Sequence, residues 1–366
     1  MNIFEEKNSE NWPKTVNFAQ SFEWGDIALA EKQKVIRLVF KEDDGGRIMA
    51  VAQIIYKTLP FGWRYAWCPK GPVSVIPTEA ESRVEGSLKV RISRDFCAFA
   101  KASAGTQSTS LRFARNDNDN VYEVLADYLK NKKCIFLRCE PDKLPSGVKL
   151  LPAKDVNPKV TVVLDLQKNN EDILKGMKKN TRYSIRFAEK QNLVIKNEKN
   201  LEIFWKLLRA TAVRDKFTTH SKDHYKNILS SSVVWQMTAY NDGKTVASAI
   251  FIGSGDTVTY LFAASDYNQH HLLAPYLIQW EAIKEAKKMG FKYYDFFGIA
   301  PKKNQNLEEK YLYDRKHSYA GITKFKLGFG GDIKSSPGTF DLVLDRKKYW
   351  IYKILHFIYG IRKIGK

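Results

Sequence analysis

One pattern constrains the fold of this chain more than any other, because it occurs twice. Two β-branched runs, VIRLVF (35–40) and IMAVAQIIY (48–56), flank a turn at Asp43-Asp44-Gly45-Gly46. Far downstream, WQMTAYNDGKTVASAIFIG (235–253) turns at Asn241-Asp242-Gly243. An acid or amide followed by glycine between apolar runs signals a β-hairpin. Each hairpin is followed by a strand (63–73 and 257–265), a helix (121–131 and 272–289) and another strand (132–141 and 293–299). Gly290 is a natural stop for the second of those helices. The repetition predicts two similar mixed α/β domains. Coincidence is the competing explanation, since this order of elements is common.

The remaining segments set the boundaries. Residues 14–40 read as a helix bearing Trp24, Ile27 and Leu29 that passes into the first β-branched run, and helices over 170–191 and 201–216 open the second half. The Pro-punctuated stretch 144–158 reads as a linker. The first domain is therefore expected at 1–158, completed by about 329–345, and the second at 159–328. Within the first, residues 85–120 are rich in Ser, Ala, Arg and Asn and carry neither helical nor strand period, as an inserted loop would.

Charge narrows the function. Sixty Lys and Arg against forty Asp and Glu leave a net charge of +20. Such an excess favours polyanionic partners: nucleic acid, phosphorylated metabolites or an anionic membrane. A lysine-rich coding bias is the plain alternative. Cys68, Cys97, Cys134 and Cys139 show no CxxC spacing, and the six histidines are scattered, so neither a metal site nor a disulfide framework is expected. No nucleophile-elbow, P-loop or HExxH motif is present. The start, MNIFEEKNSENW, has no apolar signal region, and a cytoplasmic protein is expected. In ILKGMKKNTRYSIRFAEK (173–190), Lys178, Lys179, Arg182 and Arg186 lie among apolar residues at helical spacing. That makes an amphipathic helix with a cationic face, either simply solvated or bound to phosphates.

Six blocks, in order, resemble the signatures of the FemA/FemB/FemX family of tRNA-dependent aminoacyltransferases that build the peptidoglycan interpeptide bridge. They are CPKGPV (68–73), FLRCEP (136–141), KKNTRYSIRFAEKQNLVI (178–195), AVRDKF (212–217), the long block YLFAAS through FFGI (260–299), and ITKFKLGFGG (322–331). The resemblance implies two GNAT-like acyltransferase domains in tandem, here without the coiled-coil arm of some members. It implies no metal and no coenzyme A, with aminoacyl-tRNA and a lipid-linked or UDP-linked muropeptide precursor as substrates and a monomer as the working form. Lys326 matches the lysine thought to stabilise the developing oxyanion, and Phe325 an aromatic that packs the site. Arg214 matches an arginine that holds precursor phosphates, and Tyr260 and Tyr276 fall in the block that lines the substrate site. Lys178, Lys179, Arg182 and Arg186 are the expected tRNA contacts. Glu140 stands where a base is often proposed, or is a structural carboxylate. Where the family often has a lysine after the first-helix Trp, this chain has Asp26; Lys70 is a candidate substitute. Other acceptors, such as another envelope polysaccharide or a lipid amine, and a non-catalytic RNA- or membrane-binding role, stay open.

An ester on the tRNA ribose is already activated, and an amine is a good nucleophile. Positioning plus one cation for the oxyanion then suffices, and a covalent nucleophile is unnecessary. Finally, residues 346–366 hold seven Lys or Arg and no acid, with Trp350, Ile351, Ile354, Leu355, Ile358 and Ile361 at three- and four-residue spacing. This basic amphipathic helix either closes the first domain or lies in the interface of the inner membrane leaflet.

Overall fold

The computed structural model describes residues 1–14, 17–42, 46–75, 117–302 and 313–358. The turn at 43–45 and all of the presumed insertion up to residue 116 lie outside the described residues.

The first part comprises β1 (Asn2–Glu5), α1 (Phe22–Ala30), β2 (Lys34–Lys41), β3 (Ile48–Thr58), β4 (Arg64–Cys68), β5 (Val73–Ser74), α2 (Asp117–Asn131), β6 (Cys134–Cys139) and β7 (Leu151–Pro152). The second comprises β8 (Val160–Asp165), α3 (Asn170–Gly176), α4 (Lys179–Glu189), β9 (Val194–Asn197), α5 (Leu201–Asp215), α6 (Lys222–Ser230), β10 (Val234–Asn241), β11 (Lys244–Ser254), β12 (Thr257–Ser265), α7 (Ala274–Lys288) and β13 (Tyr293–Gly298). The chain ends with α8 (Ala320–Lys326), β14 (Asp332–Ser335), β15 (Phe340–Val343) and α9 (Arg346–Ile358).

Two mixed sheets result. One runs β1-β2-β3-β4-β6-β15-β7, with β5 on β3; the other runs β14-β8-β13-β12-β11-β10-β9. The repeated pattern in the sequence is a repeated topology. In each sheet an antiparallel hairpin passes to a third antiparallel strand, and a helix then carries the chain to a parallel neighbour: β4 to β6 through α2, β12 to β13 through α7. Both crossover helices bury one stripe, Val121, Tyr122, Leu125 and Leu129 in α2 and Ile278, Ala282, Ile283 and Ala286 in α7. Asp242 (φ 47°) and Gly243 (φ 76°) take the positive dihedrals that a tight hairpin turn demands.

Between the units lies a shared apolar cluster. Phe18, Ala19 and Ile27 of the first part pack with Phe204, Leu207, Leu208, Tyr225 and Ile228 of the second. Beneath it, Gln20 is fully buried, accepting from the Gln53 amide at 2.7 Å and donating to the Pro69 carbonyl at 2.5 Å. Asp26, which replaces the anticipated lysine, pairs with Arg37 at 2.5 Å. Gly25 admits this network, because a Cβ there would lie 2.1 Å from the Gln53 Oε1.

Four expectations need correction. The opening helix is confined to α1, with Ser21 accepting from Trp24 N as its N-cap. The single helix over 170–191 is broken at Met177 (ψ 152°) and Lys178 (ψ 148°), because the Lys178 amide leaves the helical path to donate to the Gly328 carbonyl at 2.8 Å. The linker contributes β7, an edge strand paired with β15. The return to the first unit begins at residue 340 rather than 329: β14 pairs with β8 in the second sheet, and β15 with β6 in the first. An ion pair secures that return, Asp341 (fully buried) meeting Arg138 at 2.8 and 2.9 Å.

Candidate active site

The strands β12 and β13 part early. Their parallel pairing covers only Thr257–Thr259 against Tyr293–Asp295, and beyond it β13 carries a bulge against β8 between Asp295 and Gly298. Phe297, at φ 60°, sits in a conformation that bulky residues avoid. Polar bonds hold it there. Thr161 Oγ1 bonds both Asp295 Oδ1 and the Phe297 carbonyl, and the Phe297 amide donates to Asp295 Oδ1 at 2.7 Å. Gly298 follows with its Cα against Pro158, where a Cβ would meet the ring at 2.4 Å. Gly298 thus has no room for a side chain of its own, and the bulge re-aims its carbonyl into a separate, neighbouring space.

Lys326 fills that place. It is 7% exposed, donates from Nζ to the Gly298 carbonyl at 2.8 Å, and lies 5.6 Å from the Tyr260 ring centroid. An ammonium has three donors, and among the described residues the Gly298 carbonyl takes one of them. Burial pulls its pKa down from 10.5 to about 8, with Asp295 partly opposing the shift. Burial also raises the Asp295 carboxyl, against its hydrogen bonds to Thr161 and Phe297 and the charges of Lys326 and Lys70. Phe325 and Tyr276 meet edge to face at 4.9 Å, and both rest on the buried Phe329. Lys326, Phe325, Tyr260 and Tyr276 are therefore one cluster.

The first unit contributes Lys70 and Glu140. Lys70 donates from Nζ to the Pro158 carbonyl at 2.8 Å, on the residue that packs Gly298. Glu140 is 2% exposed and accepts four hydrogen bonds: from Lys70 N (3.2 Å) and Asn157 Nδ2 (2.7 Å) on Oε2, and from Asn157 N (2.9 Å) and Thr339 Oγ1 (3.0 Å) on Oε1. A carboxylate offers about four lone-pair sites, and all are taken. That is the geometry of its second reading, a clamp tying three chain segments at the junction.

The cationic helix is close to the cluster. Its N-cap residue Lys178 bonds Gly328, two residues from Lys326, and Thr181 packs where Gly328 lacks a Cβ. Lys178, Lys179 and Arg186 are exposed. Arg182 instead turns back to the Met177 and Lys175 carbonyls, capping the end of α3. Arg214 has its contacts elsewhere: it forks onto Asp215 at 2.7 and 2.8 Å and lies 5.3 Å from the Tyr267 ring centroid. Sequence reasoning missed Asp295, Thr161 and the Phe297–Gly298 bulge. The signal was an acid inside the otherwise apolar strand YYDFFG, where an acid is rare unless paired.

A model of the FemAB family matches residues 146–231 and 234–357, more than half of the chain. The aminoacyltransferase FemB of Staphylococcus epidermidis is 26% identical over 135 residues, 36% of this chain and 29% of its own length. FemA of the same species is 26% identical over 110 residues, covering 30% and 24% of the two chains. These matches thus span less than a third of the curated relatives. The crystal structure of FemX shares the fold, with a TM-score of 0.70 at 15% identity over 96% of this chain and 99% of that one. With the family match running across the second unit and into the end of the first, the chain belongs to the FemAB family.

Proposed function

We propose that this chain is a cytoplasmic aminoacyltransferase that moves an amino acid from aminoacyl-tRNA to the side-chain amine of a peptidoglycan precursor stem peptide, without metal or coenzyme A. Family membership supports the class of reaction. The observation that carries the chemistry is Lys326, a buried ammonium with one hydrogen bond among the described residues, to the Gly298 carbonyl.

The acceptor amine attacks the ester carbonyl, and negative charge gathers on the carbonyl oxygen. Lys326 donates to that oxygen in a site where burial strengthens the interaction. The new C–N bond forms, the C–O bond to the ribose breaks, and the departing ribose oxygen takes the proton lost by the amine. Phe325, Tyr260 and Tyr276 shape the site, while Lys178, Lys179 and Arg186 meet the tRNA backbone and Arg214 and Lys70 the precursor's phosphates. One assay tests the reading. Total tRNA charged with radiolabelled amino acids is mixed with enzyme and muropeptide precursor, and label is followed with and without RNase. RNase-sensitive transfer to the precursor is expected. Transfer that survives RNase, or none with any charged tRNA, overturns the proposal.

A further inference from the structure

Two features of the first unit take no part in the site, and they adjoin each other. The first is the outer face of α9. The helix is seated on the sheet by Tyr349 and Tyr352, both buried against Phe136 at centroid distances of 5.4 and 5.1 Å. At about 100° per residue, Trp350, Ile351, Ile354, Phe357 and Ile358 gather on the opposite face. They are 58%, 45%, 55%, 89% and 64% exposed. Arg346 and Lys347 stand exposed at the start of this helix. Next to α9 the loop after β3 adds Phe61, 73% exposed and held at φ 64°. Phe61 and Trp63 share a narrow apolar crevice with Leu355 and His356 of α9.

The second feature begins at Trp63. A cleft of about 480 Å³ opens at the starts of β4 and β6, the ends remote from Lys70 and Glu140. Lys32, Lys34, Lys57, Arg64 and Lys133 line it, and among the described residues no acid does.

We propose that this edge of the first unit docks on an anionic phospholipid membrane. The outer face of α9 and Phe61 enter the interface, and the cleft receives lipid phosphates. The two features complement a bilayer in depth: aromatic and aliphatic groups meet the acyl boundary while cations meet the phosphate layer beside it. Free phosphate would account for the cleft and leave α9 unexplained. A second copy packed face to face would bring the two cationic clefts together. The inference stands apart from the proposed reaction and needs no substrate for its test.

Full-length protein is sedimented with vesicles of phosphatidylcholine alone or mixed with phosphatidylglycerol. Binding to the anionic vesicles, reversed by salt, is expected. F61N/I354S/F357S, at three exposed positions, should weaken it by roughly tenfold or more. K34Q/K57Q/R64Q should abolish the preference for phosphatidylglycerol. Circular dichroism checks that both variants are folded. The proposal is overturned if the wild type stays in the supernatant with both vesicles, or if the apolar variant binds as the wild type does. It is equally overturned if that variant only converts a dimer to a monomer in sedimentation velocity.

Discussion

The two parallel strand pairs make the same connection and put it to different use. β4 and β6 remain paired from Arg64 and Cys134 to Cys68 and Cys139, and the carboxylate just beyond them, Glu140, is surrounded by four donors. β12 and β13 separate after Asp295, and the gap holds a strained bulge, one re-aimed carbonyl and a lysine that meets one acceptor among the described residues. A saturated polar group holds a structure together, whereas one left partly unsatisfied in a buried place is available for chemistry.

The comparison is most easily broken at its two charged residues. Lys326→Ala should lower turnover by ~10²–10³, the loss expected for one oxyanion donor, with precursor affinity nearly unchanged in a binding titration. Turnover within a few-fold of wild type would remove the lysine from the mechanism. Glu140→Gln should do the reverse. It leaves two buried donors facing an amide nitrogen, each costing about 1–3 kcal/mol, so thermal denaturation should shift clearly while turnover per folded molecule persists. Loss of turnover at unchanged melting temperature would restore the base role and erase the contrast between the units.

A pH profile sharpens it further. The ammonium form of Lys326 is the donor, and it is lost as pH rises through about 8. Where chemistry limits turnover, the rate should fall along a single alkaline limb near that value. Asp295 raises the lysine's pKa, so Asp295→Asn should move the limb to lower pH. A limb that stays in place would assign it to another group. The smallest effect lies on α4. Lys178→Gln with Lys179→Gln should flatten the salt dependence of tRNA affinity, by roughly 0.7–0.9 in log–log slope for each phosphate no longer neutralised. An unchanged slope would make this a solvated face.

Much of the fold was legible because local chemistry demanded it. Asn241-Asp242-Gly243 could only turn, Gly290 could only end a helix, and apolar stripes marked α2 and α7. What failed was decided at a distance. The break at Met177 interrupts an apolar spacing that runs on undisturbed, and its cause is a carbonyl far downstream, at Gly328. In α9 the spacing is legible in the sequence, which leaves open whether its apolar stripe is buried. Tyr349 faces inward because its hydroxyl meets Asp341 at 3.1 Å, itself paired with Arg138, so Trp350, Ile351, Ile354 and Ile358 are turned outward. The cluster around Lys326 was legible through family resemblance, while Asp295 and the bulge needed coordinates.

The late crossing of the chain between sheets has a consequence for how the molecule is made. β15 is inserted between β6 and β7, so the first sheet has a gap in its interior until residues 340–343 arrive. During synthesis the amino-terminal unit therefore waits, with the edges of β6 and β7 open and the Arg138 guanidinium without Asp341, while the whole second unit emerges and folds. Open strand edges invite pairing with other chains. A ribosome that stalls anywhere before residue 340 leaves behind a half-built sheet rather than a smaller working domain.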